Sequence, residues 1–391
     1  MKQLKFAFVT GTRADYGKLK SIMKLCDLQP DIDTYVYVTG MHLMPEYGFT
    51  FDEIKADGYK NIYVPPNFQK TVNMDENLAQ TILGFSIFVK EIKPDLIIVH
   101  GDRIEPLAGA IVGVLNNVKV AHIEGGEVTG TADEFMRHAI SKLSSMHFVA
   151  NNEAKYRIIQ LGERENSIYI IGSPDIDIML SDTLPAYESV KQKHKIEFES
   201  YAIFIYHPVT TSINLEYEIS QVISAAISSS KNYIVIYPNN DSGSQIICNA
   251  IKTLENNNHF ILFKSLPFED FLQLLKNAEF IIGNSSAGIR EACVYGVPAI
   301  DIGTRQNSRY VPGALKNIQH TEENKEQILQ CIKKVNQFCF SSGYFGNGES
   351  ARLFLEAIRN YGGITTDMQK TFVDMDVTSQ AIMNYINEVC F

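Results

Sequence analysis

A chain of 391 residues, 45% hydrophobic and 20% charged, is long enough for two domains at roughly 100–200 residues each, and its 25 glycines and 13 prolines follow no collagen-like period, which excludes a fibrous or largely disordered protein. A net charge of −10 denies it the broad positive face that a nucleic acid or an anionic membrane requires. Its longest apolar run, LAGAIVGVL at Leu107–Leu115, is far short of the ~18–20 residues that cross a bilayer, so neither nucleic acid nor membrane is an expected partner.

The N-terminal MKQLKFAFVT runs into a Gly/Thr/Arg turn without a small-residue cleavage site. It reads as a first strand rather than a signal peptide, and a cytoplasmic location is expected. Short β-rich runs then alternate with helix-period segments, the pattern of a parallel sheet covered by helices. Strands are predicted at Lys5–Thr10, Thr34–Thr39, Asp95–His100, Lys119–Ile123, His147–Val149 and Ser167–Ile171. The second half repeats the rhythm with Ala202–Tyr206, Tyr233–Tyr237, Phe260–Leu262, Phe280–Ile282 and Ala299–Ile302. Asn77–Ile92, Leu215–Ser229 and Asn324–Val335 have helical spacing, and the polar stretch Ser181–Ser200 reads as a linker. The predicted class is α/β, with two doubly wound Rossmann-like domains, 1–180 and 181–364, facing a cleft; a helical tail, 365–391, is expected to pack back on the first. The six cysteines are never spaced CxxC, so reduced, buried thiols are expected rather than a disulfide framework or a zinc site.

Open parallel sheets bind ligands beyond the carboxyl ends of their strands, and several of these ends are chemically loaded. The first strand leads into Gly11, Thr12, Arg13, Ala14, Asp15, Tyr16 and Gly17: backbone donors plus an arginine at a helix start suit a diphosphate, or form an ordinary βα turn. Asp102 follows the strand ending at His100 and is either a base or an N-cap. Glu124 follows the next strand and precedes two glycines, which allow close backbone approach. Asp133 opens a helical segment with Arg137 one turn on, as a third acid or as an i,i+4 ion pair. In the second half, His207 follows a strand and precedes Pro208, where an imidazole can contact phosphate or serve structure. Ser285, Ser286 and Gly288 lie in GNSSAGIRE, an anion cradle at a helix start. Glu291 would accept from ribose hydroxyls or complement the helix dipole. No HExxH, GxGxxG or Walker A spelling occurs, so no metal and no nicotinamide or ATP cofactor is expected.

Taken together, GTRADYG, VTGMHL, HGDR, HIEGGE, GSPD, YHPVTT, YPNND, GNSSAGIREA and GTRQNSR resemble, in order and over nearly the whole chain, the hydrolysing UDP-N-acetylglucosamine 2-epimerases of bacteria, which form N-acetylmannosamine for sialic acid synthesis. Related non-hydrolysing enzymes spell the first turn GTRPE, whereas Ala14 and Asp15 follow Arg13 here. The resemblance implies a glycosyltransferase B-type fold, no cofactor, a nucleotide-sugar substrate and a homo-oligomer, dimer or tetramer. It also implies catalytic roles for Asp102, Glu124 and Asp133, and UDP and sugar contacts from Gly11, Arg13, Asp15, His207, Ser285, Ser286, Gly288 and Glu291, with Phe271 in the place of a uracil-stacking aromatic and Phe268 close by. Enzymes acting on a UDP-2,4-diacetamido-trideoxyhexose, for legionaminic acid, share these motifs, and a glycosyltransferase is a more distant alternative.

Overall fold

A computed structural model describes residues 3–44, 49–66, 73–128, 133–209, 212–238, 243–307, 309–311, 313–360, 370, 371 and 373. Contacts divide the chain into two units, 1–127 with 131–171 and 351–391, and 128–130 with 172–350. The crossing at 171/172 precedes the polar stretch from which a linker was expected. Part of that stretch folds as a helix, because Val190 is buried there and Lys193 and His194 pair with Asp270 at 2.6 and 2.8 Å.

The first unit contains β1 (Leu4–Thr10), α1 (Arg13–Asp27), β2 (Ile32–Val38), α2 (Phe51–Ala56), β3 (Asn61–Tyr63), α3 (Met74–Ile92), β4 (Leu96–His100), α4 (Ile104–Leu115), β5 (Lys119–Ile123), α5 (Asp133–Leu143), β6 (Met146–Val149), α6 (Asn152–Gln160) and β7 (Ile168–Ile170). Among the described residues its strands form one parallel sheet in the order β3-β2-β1-β4-β5-β6-β7. β4 and β5 are buried at every position, as strands covered on both faces must be. Along β1, Phe6 and Phe8 enter one core while Ala7 and Val9 enter the other, the period of two that side chains follow on a sheet.

The second unit contains α7 (Asp175–Met179), α8 (Tyr187–His194), β8 (Ala202–Ile205), α9 (Leu215–Ser228), β9 (Tyr233–Ile236), α10 (Ser244–Lys252), β10 (Phe260–Phe263), α11 (Phe268–Lys276), β11 (Ile281–Gly283), α12 (Glu291–Tyr295), β12 (Ala299–Ile302), β13 (Ile318–Thr321) and α13 (Lys325–Lys334). Its parallel sheet runs β10-β9-β8-β11-β12-β13. Both sheets reverse strand order beside their first strand, at β1/β4 and β8/β11, and these switch points are where open α/β sheets place their ligands.

α14 (Ser350–Asn360) was expected within the second domain, yet from Ala351 on it belongs to the first unit. Phe354 is fully buried against Phe148, ring centroids 4.6 Å apart, and Arg359 reaches Asp31 at 2.9 Å. The expected tail helix 365–391 lies outside the described residues except at 370, 371 and 373. There Lys370 lies 2.5 Å from Glu163, which also takes Lys142 at 2.7 Å and His147 at 3.1 Å. Strands β3 and β13, NIY and IQHT, are edge strands with no continuous apolar run, and composition does not reveal them. Cys26 and Cys293 are buried, Cys248 and Cys331 half-buried, and Cys339, contrary to expectation, exposed. Among the described residues no helix is long and apolar enough to cross a membrane.

Candidate active site

The β4–β5 register pairs His100 with Ile123, so the residues that follow, Asp102 and Glu124, leave the sheet side by side. Arg137, buried on α5, joins them: one nitrogen donates to a carboxylate oxygen of Asp102 and the other to the carbonyl of Glu124 at 2.5 Å. The Glu124 carboxylate, itself buried, takes Lys18 Nζ at 3.0 and 3.1 Å and lies 3.2 Å from His100 Nε2. Two carboxylates from adjacent strand ends are thus matched by a guanidinium and an ammonium. Glu124 has φ +63°, a left-handed conformation that costs a non-glycine residue of order 1 kcal/mol or more and is held only where surrounding structure over-determines it. Its amide donates to Phe148 O at 3.0 Å, and Arg137 holds its carbonyl.

His122, fully buried on β5, supports the same floor. Its Nε2 must donate to the Gly101 carbonyl at 2.8 Å, so Nδ1 accepts from Ser141 Oγ at 3.0 Å. Burial pushes its pKa well below the usual histidine range, so it stays neutral and fixes the loop that carries Asp102. Arg137, for which an i,i+4 pair with Asp133 was one of two readings, serves Asp102 and Glu124. Asp133 is the first residue of α5, half-buried.

At the β1 turn the expected diphosphate cradle is already occupied. The buried Asp15 carboxylate accepts from Thr10 Oγ1 at 2.7 Å and from the amides of Gly11 and Thr12, both at 3.0 Å, closing a capping box with Thr12. Asp15 therefore shapes the turn, and two amides thought available to a ligand are spent on it. His42 completes the lock: its Nε2 donates to Thr10 Oγ1 at 2.9 Å and its Nδ1 accepts from Thr50 Oγ1 at 2.6 Å. Burial lowers its pKa. Arg13, on the first turn of α1, keeps a partly exposed guanidinium with Nε 3.4 Å from Glu53.

Beneath this turn lies an acid that the sequence reading passed over. Glu105 is 3% exposed, and a β-carbon on Gly11 would lie 2.4 Å from its Cγ and one on Gly40 2.5 Å from its Oε1, so both glycines are packed on the carboxyl. Its Oε2 makes no hydrogen bond and has Arg103 Nε 3.8 Å away. Burial raises its pKa, with Arg103 opposing. A carboxyl whose folded pKa lies above its unfolded value costs stability as pH rises through that window. The melting temperature of Glu105→Gln minus that of the wild type is therefore expected to increase by about 2–4 °C between pH 4.5 and pH 8; a flat difference in thermal unfolding would reject the charge penalty.

In the second unit, His207 is half-buried just beyond β8. Ser285 caps the short turn Ser286–Gly288, accepting from Ala287 N at 3.3 Å, and Glu291 opens α12. Arg290 donates to Ser173 Oγ at 2.5 Å and lies over the Phe345 ring at 4.9 Å. Gly288 faces the sheet, and a β-carbon there would meet Ala299 Cβ at an ordinary 3.6 Å. Phe271, half-buried, packs against the apolar core of its own unit, and Phe268 is also half-buried at the first position of α11. Among the described residues no group of three or more His, Cys, Asp or Glu could hold a metal ion.

Two doubly wound parallel sheets, with acids at the strand ends of one and a hydroxyl-rich turn at those of the other, define the glycosyltransferase B-type architecture. The chain belongs to the UDP-N-acetylglucosamine 2-epimerase family, whose model matches residues 24–359. It is 43% identical over 375 residues to the UDP-N-acetylglucosamine 2-epimerase of Neisseria meningitidis serogroup B, covering 94% of this chain and 98% of that protein. To the UDP-N,N'-diacetylbacillosamine 2-epimerase (hydrolyzing) of Legionella pneumophila it is 36% identical over 311 residues, 78% of this chain and 82% of that one. The fold matches that of a UDP-GlcNAc 2-epimerase from Neisseria meningitidis bound to UDP-GlcNAc with a TM-score of 0.76 at 17% identity, covering 92% and 99% of the two chains.

Proposed function

We propose that this protein is a hydrolysing 2-epimerase that converts UDP-N-acetylglucosamine and water into N-acetylmannosamine and UDP. The observation that carries this reading is the pair Asp102 and Glu124 on adjacent strand ends, each carboxylate matched by its own cation. The C2 proton of the sugar is weakly acidic, so the C1–oxygen bond to UDP must lead in breaking, and the oxocarbenium-like centre is stabilised by a nearby carboxylate. A carboxylate then takes the C2 proton, leaving 2-acetamidoglucal and UDP. Water adds its oxygen to C1, giving up a proton to a carboxylate, while an acid on the opposite face returns a proton to C2, inverting that centre. Asp102, Glu124 and Asp133 divide the roles of proton acceptor, proton donor and water-orienting group that the reaction requires. Arg13, His207, Ser285 and Ser286 hold the diphosphate, Glu291 the ribose, and Phe271, with Phe268 close by, the base. A second reading, the same reaction on a UDP-2,4-diacetamido-trideoxyhexose, is favoured by the 36% identity to the Legionella enzyme.

Arg13→Ala is expected to weaken UDP binding about tenfold by calorimetry, the loss of one charge-assisted contact; unchanged affinity would remove Arg13 from the diphosphate site. The reaction itself is tested by proton NMR in deuterated water. N-acetylmannosamine with deuterium at C2, plus free UDP, is the expected product. Unchanged UDP-N-acetylglucosamine alongside turnover of the diacetamido sugar would favour the second reading, and a product formed only with an added acceptor would mark a glycosyltransferase.

A further inference from the structure

We infer that Asn284 is a positioning residue that sets His207 against the diphosphate by tying the carboxyl ends of β8, β11 and β12 into one hydrogen-bonded unit; the inference rests on the role proposed for His207. Asn284 is fully buried. Its Oδ1 accepts from the amide of His207 at 2.7 Å and its Nδ2 donates to the carbonyl of His207 at 2.9 Å. Its own amide donates to Ile205 O at 3.2 Å, and its carbonyl accepts from Gln306 Nε2 at 2.7 Å and Arg305 Nη1 at 3.2 Å. Arg305 and Gln306, which have no other part in the proposed chemistry, are thereby attached to the same point.

The chemistry explains why this side chain is an asparagine. The β8–β11 ladder ends where Ile205 pairs with Gly283, and Pro208 has no N–H with which β8 could continue as a strand. A carboxamide presents a donor and an acceptor on one planar group, so Asn284 extends the ladder through its side chain by pairing with both polar backbone groups of His207. Aspartate keeps the acceptor but sets an oxygen against the His207 carbonyl, alanine offers neither group, and glutamine is one methylene too long for a fully buried site.

The test is a double-mutant cycle on UDP affinity by calorimetry, using wild type, N284A, H207A and H207A/N284A, with N284S and N284D as additional single variants and thermal unfolding to establish that each is folded. N284A and H207A are each expected to weaken UDP about tenfold, N284D similarly, and the double variant by no more than about twofold beyond H207A. Losses that multiply, or N284A binding UDP like the wild type, overturn the inference; if N284A does not fold, the cycle is run with N284S. The imidazole signals of His207, assigned by their absence in H207A, are expected to shift in N284A while those of other histidines stay in place. Unmoved His207 signals reject the positioning role whatever H207A does to UDP, whereas H207A with unimpaired UDP binding rejects only the diphosphate assignment of His207.

Discussion

Asp102→Asn and Glu124→Gln are each expected to slow turnover of UDP-N-acetylglucosamine by about 10³-fold or more, the scale of losing a positioned general acid or base, while UDP affinity stays within about twofold. Binding survives because the groups proposed to hold the nucleotide depend on neither side chain. The two variants differ in their structural cost. Asn at 102 leaves the buried Arg137 with the Glu124 carbonyl but no carboxylate, and an uncompensated buried cation costs roughly 3–5 kcal/mol. Gln at 124 removes the charge that Lys18 and His100 face but leaves the backbone contact of Arg137 intact. The Asn variant is therefore expected to melt lower than the Gln variant, with both binding UDP at 20 °C. Single-turnover assays following 2-acetamidoglucal and N-acetylmannosamine separate the half-reactions. Wild-type turnover in either variant would exclude that residue from the mechanism.

Much of this site was legible because strand ends are local features. The runs before Asp102 and Glu124, LIIVH and KVAHI, are rich in apolar and β-branched residues, and the glycines beside them mark where the backbone turns. What stayed hidden depends on residues distant in sequence. Lys18, on a helix face, reads as an ordinary solvated lysine, and only the fold brings it to Glu124, 106 residues away. Glu105 reads as a first-turn helix acid, and its burial follows from Gly11 and Gly40 closing over it. The capping role of Asp15 stayed hidden because a capping carboxylate and a ligand-binding carboxylate look alike until the turn's amides are traced to their acceptor. The spacing of α14 shows that it has an apolar face, but not that the face meets Phe148 of the first sheet.

Gly283→Ala is expected to destabilise the protein by about 4 kcal/mol or more, lowering its melting temperature by roughly 10 °C or leaving it unfolded. Gly283 has φ +132°, and a β-carbon there would lie 1.8 Å from Ile205 O and 2.6 Å from Ile205 C. Those are backbone atoms, held because Gly283 and Ile205 pair in the centre of the sheet, so no rotamer change can relieve the overlap. Separating β8 from β11 would also break the Asn284 contacts with His207, so UDP binding is expected to fall together with stability. Gly288→Ala, five residues on, is the control: its β-carbon meets Ala299 at ordinary contact distance, and the variant is expected to melt within about 2 °C of wild type. If Gly288→Ala nevertheless weakens UDP, the turn at Ser286–Gly288 touches the nucleotide directly. A Gly283→Ala protein that melts like the wild type would mean that β8 and β11 are not locked together here, and the positioning argument for Asn284 would lose its foundation.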